Sequence, residues 1–211
     1  MIRVGLVNGG AITIDPDKVG PARFDVSDLT VDVAAHGLSQ VSRFAGQTPR
    51  IVTDAEHSVH LARWLARFPQ LQHSTLRCRY ALLHDVCESL GVGDVHYQIK
   101  RQYGEGLRSL ECDLMDAIWN HARLEGWFKY VPPQPGVGVP DYVRDAVHKY
   151  DKWIGDWEAY QVWPLVGEGR VGVDEIKKMD LQYRPPFLQY WSAERAKSEW
   201  LAAWKSYGGL A

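Results

Sequence analysis

An adjacent His84-Asp85 pair closes an apolar run, Tyr80-Ala81-Leu82-Leu83. A polar pair at the end of a buried stripe needs partners, and a cation is one. Glu88 follows His84 by four residues and so shares its helical face. His57 stands early in the preceding helical stretch, and Asp151 lies in a later one, beyond a proline-rich loop. Imidazole nitrogens with carboxylate oxygens suit Zn²⁺, Mn²⁺, Co²⁺, Fe²⁺ or Ni²⁺ and are less typical of Ca²⁺ or Mg²⁺ alone. The pair alone is weak, because neighbours on a helix point about 100° apart and converge on one ion only if the helix lies tangent to it.

The elements that must position these residues belong to a chain of 211 residues and 23.9 kDa. That length suits one domain with a core of its own. Lys plus Arg is 24 and Asp plus Glu is 26, for a formal charge of −2. Such a balance gives no basic track for nucleic acid. Cys78, Cys87 and Cys112 are odd in number and show no CxxC spacing. A disulfide framework is therefore not expected, and a reducing compartment is. No apolar run is long enough to span a membrane. The opening MIRVGLVNGGAITIDPD lacks the apolar region and cleavage site of a signal peptide. These features point to the cytoplasm (the host's, if the chain is phage-encoded).

Residues 1–29 read as extended, with Val4, Leu6, Ile12 and Ile14 flanking an Asn8-Gly9-Gly10 turn, a small hairpin. Helical patterns then dominate. Ala34, Leu38, Val41 and Phe44 form a first stripe, ended by Gly46 and Pro49. Thr53 with Glu56 three residues on is a capping-box pattern, opening a helix that carries His57 and runs to a stop at Pro69. A third helix is expected from Ser74 to about Leu90, closed by Gly91 and Gly93. A fourth spans Leu107 to Leu124 and a fifth Asp141 to Tyr160, with a Pro- and Gly-rich loop between them. Residues 164–190 read as irregular, and Ser192 as the cap of a last helix bearing Trp200 and Trp204. The expected fold is mostly α, a helical bundle with a short N-terminal β-hairpin. It divides into an N-terminal segment (1–29), a core (30–160) and an aromatic-rich C-terminal extension (161–211).

Several ordered motifs agree with one family. Glu56-His57-Ser58, Ala81-Leu82-Leu83-His84-Asp85-Val86-Cys87-Glu88, Gly93-Asp94 and Lys100 are preceded by His36-Gly37-Leu38-Ser39-Gln40-Val41-Ser42-Arg43-Phe44-Ala45-Gly46. Over roughly residues 22–160 the chain resembles HD-domain metal-dependent phosphohydrolases. The branch it is similar to holds the phage dATP triphosphohydrolases and bacterial 5′-deoxynucleotidases. The resemblance implies His57, His84, Asp85 and Asp151 as metal ligands, with Asp145 and Asp156 as rivals to Asp151 on the same helix. It implies a divalent transition metal, with room for a second ion such as Mg²⁺ on the phosphates.

Metal chemistry of this kind activates water and screens charge on a phosphoryl group. Glu88 is expected to orient the water or shuttle its proton, and Asp94 to hold that water or protonate the leaving oxygen. Arg43 and Lys100 are candidate phosphate clamps. His148 stands where relatives often carry Lys, and it keeps a donor without a fixed charge. Phe44 is a candidate to stack on the base, with a core role as the alternative. His60 is either a second-metal ligand or a packing residue, His36 a possible support for the site, and His73, His96 and His121 read as surface residues. The spacing from His84 to Asp94 runs one residue longer than usual in the family, and the chain beyond residue 160 has no counterpart in it. Its aromatic residues are read first as packing on the core, and its tryptophans also as candidates for the interface of a homo-oligomer, a dimer or hexamer. The expected reaction is hydrolysis of a small deoxynucleotide, first dATP to deoxyadenosine and triphosphate. The alternatives are a 5′-deoxynucleotidase acting on dNMPs and a non-catalytic nucleotide-binding module.

Overall fold

A computed structural model describes residues 1–68, 74–92, 105–127 and 138–208. Two strands, β1 (Ile2–Gly5) and β2 (Ala11–Ile14), pair antiparallel with Ile2 opposite Ile14. Asn8 shapes the turn, its Oδ1 accepting from the Gly10 amide, while Gly9 takes a left-handed φ of 84°. A third short strand, β3 (Phe24–Asp25), adds to β2 and was not anticipated. The hairpin is part of the core: Ile12 and Phe24 are buried, and Asp28 accepts the Ala11 amide at 2.9 Å.

The main elements that follow among the described residues are helices: α1 (Val31–Gln40), α2 (Asp54–Leu65), α3 (Ser74–Leu83), α4 (Glu105–Leu124), α5 (Asp141–Val162), α6 (Pro164–Gly167), α7 (Val171–Lys178) and α8 (Ala193–Ser206). Helix α2 is the centre. It packs on α1, α3, α5 and α8, and only Arg63 among its twelve residues is not fully buried. Thr53 caps it as expected, accepting from the Glu56 amide at 3.2 Å.

The structure departs from the sequence reading at four places. The first stripe ends at Gln40, and Val41 and Phe44 lie outside the helix. Residues 41–43 instead pair with 52–54, through a Ser42–Thr53 bridge and the Arg43 amide on the Val52 carbonyl at 2.8 Å. The third helix breaks at His84-Asp85, and a π-helical turn follows at Glu88–Val92. Phe68 lies past the end of α2, which stops at Leu65. Residues 164–190 hold α6 and α7. Helix α7 carries no cap of its own; Asp156 of α5 reaches across to accept the Gly172 amide at 3.1 Å.

The C-terminal extension packs on the helices that carry the candidate site. Trp200 and Trp204 are fully buried and stack at 5.3 Å, and the Trp200 indole donates to the Leu82 carbonyl at 3.0 Å. Trp191 is 4% exposed. Trp191, Trp200 and Trp204 are thus interior residues of their own chain, the packing role read first from the sequence and not the interface role. Among the described residues no helix is long and apolar enough to cross a membrane.

Candidate metal centre

His57, His84 and Asp151 each offer one ligand atom, and these atoms lie within 4.8 Å of one another. Asp151 Oδ1 stands 2.9 Å from His57 Nε2 and 3.5 Å from His84 Nε2. Ligands about 2.1 Å from a divalent ion are about 3.0–3.4 Å apart in octahedral or tetrahedral arrangement. These two spacings are close to coordination edges, and the third pair lies within 4.8 Å. Asp151 is the carboxylate that α5 supplies. Asp145 is exposed, and Asp156 is engaged by Arg170 and Gly172.

Both imidazoles are held so that Nε2 faces the centre. His57 Nδ1 lies 3.0 Å from both Glu158 carboxylate oxygens, and His84 Nδ1 2.8 Å from the Ala81 carbonyl. An acceptor on Nδ1 fixes the tautomer and orients the ring, as metal-binding histidines require. The break after α3 gives the His-Asp pair its geometry: released from the helix, Asp85 turns its Oδ1 to 3.1 Å from His84 Nε2. Its Oδ2 is 3.9 Å from His57 Nε2. Asp85 thus stands at the edge of the three-ligand group, next to both histidines.

The expected phosphate clamp Arg43 is inside this cluster. Its guanidinium lies 3.1 Å from Glu158, 3.4 Å from Asp85 and 3.6 Å from Asp54. Burial works against its charge, but these carboxylates hold the guanidinium firmly protonated. Phe44 and Ala45, next in the chain, take left-handed φ of 56° and 50°. Such values cost roughly 1–2 kcal/mol per non-glycine residue. They turn Phe44 edge-on to Trp163 at 5.4 Å, a packing contact.

Four carboxylates (Asp54, Asp85, Asp151, Glu158) surround the two histidines, against one guanidinium, for a formal −3 with neutral imidazoles. Buried charge of one sign needs a counter-charge. In the metal-free chain protons supply it. Burial and Arg43 push His57 down, yet Glu158 and Asp151 carry it up to about 10. Burial also opposes a charge on His84, but Asp85 and Asp151 raise it. Asp151, despite burial, is held well below the carboxylate range by its bonds to His57 and His84. A divalent cation answers the same excess with donors already aimed at it, so this donor set fits a metal.

Glu88 is buried and lines a cavity of about 210 Å³ beside His84, Asp85 and Asp151. Tyr80, Cys87, Cys112 and Met115 add apolar groups to its lining, Arg108 and Arg144 cations, Glu111 an acid and His148 an imidazole. His148 keeps solvent exposure, yet partial desolvation and the nearby His84 and Arg144 lower its pKa. Asp94 and Lys100 lie outside the described residues. His60 packs edge-on to Trp191 at 5.1 Å and is pushed down to about 4 by burial, so it belongs to the interior. His121 bonds the Leu29 carbonyl at 2.8 Å and is half-buried, which corrects its reading as a surface residue. His36 shows no bond to the ligands among the described residues, and His73 and His96 fall outside them.

Sequence reasoning missed Asp54, Glu158, Arg108 and Arg144. Glu158 follows Asp151 by seven residues, two turns along one face of α5, and that spacing was the available signal. Together fold and site define a helical protein with a buried two-histidine, one-carboxylate centre able to hold a divalent cation. No protein-family model matches the chain.

Proposed function

We propose that this chain is a metal-dependent phosphohydrolase of deoxynucleotides, with dATP hydrolysis to deoxyadenosine and triphosphate as its first candidate reaction. The observation that carries the reading is the convergence of His57, His84 and Asp151, with both imidazoles oriented through Nδ1. A divalent ion bound there supplies Lewis acidity toward a phosphoryl oxygen and lowers the pKa of a bound water. Glu88, buried beside the ligands, is placed to take and return a proton. Arg43 and Glu158 hold the ligand cage in shape, and Tyr80 and Met115 offer an apolar wall to a nucleoside.

A second reading is a 5′-deoxynucleotidase acting on dNMPs. Incubation with dNMPs, dNDPs and dNTPs in the presence of Mn²⁺ or Co²⁺, with products separated by chromatography, tests both. Triphosphate released from dATP supports the first reading. Orthophosphate from dNMPs alone supports the second. No turnover of any of them contradicts the enzyme reading and leaves a nucleotide-binding module.

A further inference from the structure

The pocket beside the metal ligands carries cations that the proposed chemistry has not used. On α5, Arg144, His148 and Asp151 are spaced by four and three residues, which sets them on one face, and all three line the pocket. Arg144 is seven residues before Asp151, about 10 Å along the helix axis. Its guanidinium is aligned by α4: Nη2 donates to Asp116 Oδ1 at 2.6 Å. The same oxygen accepts the Val139 amide at 3.0 Å, so Asp116 is itself tied to the entry of α5. The close approach uses Gly138, where a Cβ would come to 2.5 Å from Asp116 Oδ1. Arg144 Nε is buried and has no acceptor among the described residues. Arg108 faces the same space from α4, as does the acidic Glu111.

We propose that Arg144, aligned by Asp116, is a specificity-determining cation that receives the far end of an extended polyphosphate whose near phosphoryl group lies at the metal centre. The proposal rests on the phosphohydrolase reading. It separates two arginines that sequence order alone would rank the other way. Arg43 is engaged by three carboxylates and acts as an internal counter-ion. Among the described residues Arg144 has one carboxylate partner, and it stands at the pocket wall. A guanidinium with one edge fixed presents its remaining N–H groups as a fork suited to phosphate oxygens. A monophosphate at the metal end does not span two helical turns, whereas a triphosphate extends past His148 toward Arg144. The site would thus favour triphosphates through a cation outside the metal cage.

The test uses the full-length, metal-loaded protein and calorimetric titration with inorganic tripolyphosphate and with orthophosphate. The wild type should bind tripolyphosphate more tightly. Arg144→Ala should weaken tripolyphosphate by about tenfold or more while leaving metal content and orthophosphate affinity unchanged. Asp116→Asn should act in the same direction with a smaller effect. If Arg144→Ala does not fold, Arg144→Lys carries the test, with about a threefold loss confined to tripolyphosphate because the charge remains and the fork is gone. Tripolyphosphate binding that ignores these changes, or an equal loss of orthophosphate, overturns the proposal alone. A metal-loaded wild type that binds neither anion overturns the phosphohydrolase reading and this proposal with it.

Discussion

His57 meets a carboxylate at each ring nitrogen, Glu158 at 3.0 Å and Asp151 at 2.9 Å. Despite burial and Arg43, it keeps its proton in the metal-free chain up to about pH 10. An incoming metal must displace that proton, so affinity for Mn²⁺ or Co²⁺ should rise with pH across the neutral range. Binding at pH 7 should release about one proton or more per ion, read by calorimetry in buffers of different ionisation enthalpy. Release of none would remove His57 from the ligand set. Glu158→Gln should weaken metal binding by about 10–100-fold, since the Nδ1 proton loses its charged acceptor; an unchanged affinity would reduce Glu158 to a partner of Arg43. His57, His84 and Asp151, expected together from the resemblance of their motifs, do converge in the structure. Glu158 and Asp54 were not legible, because a carboxylate on a helix looks alike whether it faces water or an imidazole 101 residues away in sequence. Arg43, expected as a phosphate clamp, instead meets three carboxylates from three different parts of the chain, which only folding brings together.

Glu56 shows how one element is tied to another. Thr53 and Glu56 have the spacing of a capping box, but Glu56 does not turn back to Thr53. Its carboxylate accepts the amides of Gln189, Tyr190 and Trp191 at 2.6, 3.0 and 2.9 Å. Tyr190 takes a left-handed φ of 55° within this contact. The extension is thereby fastened to the residue preceding His57, a candidate metal ligand. Glu56→Ala leaves three amides without that acceptor and should cost about 3–5 kcal/mol in urea unfolding. Trp200→Ala, which empties a fully buried site, should cost about 3–5 kcal/mol as well. A loss below about 1 kcal/mol in either would mean that the extension is not part of the folding unit. Long-range bonds of this kind also explain the misread elements. Helix α7 was invisible because its cap, Asp156, stands 16 residues away on α5. The first helix was drawn too long because Val41 and Phe44 keep its apolar period after the backbone has left it.

The mostly helical bundle and the N-terminal hairpin were legible for most of the described residues, because periodicity and turn chemistry report local structure. How the elements close on one another was not. A metal at the centre would join α2, the end of α3 and α5, three parts of one core. An ion at about 100 times its Kd should then stabilise the chain by about 2.7 kcal/mol. For a domain of this size that is about 5–10 °C in Tm, reversed by a chelator; an unchanged Tm would mean that no ion bridges these helices. The most direct test of the account is elemental analysis of protein purified without chelator, comparing wild type with His84→Ala of the same fold by circular dichroism. The account predicts about one transition-metal ion per wild-type chain and less than about a tenth of that in the variant. A metal-free wild type, or a variant that retains its metal, would contradict it.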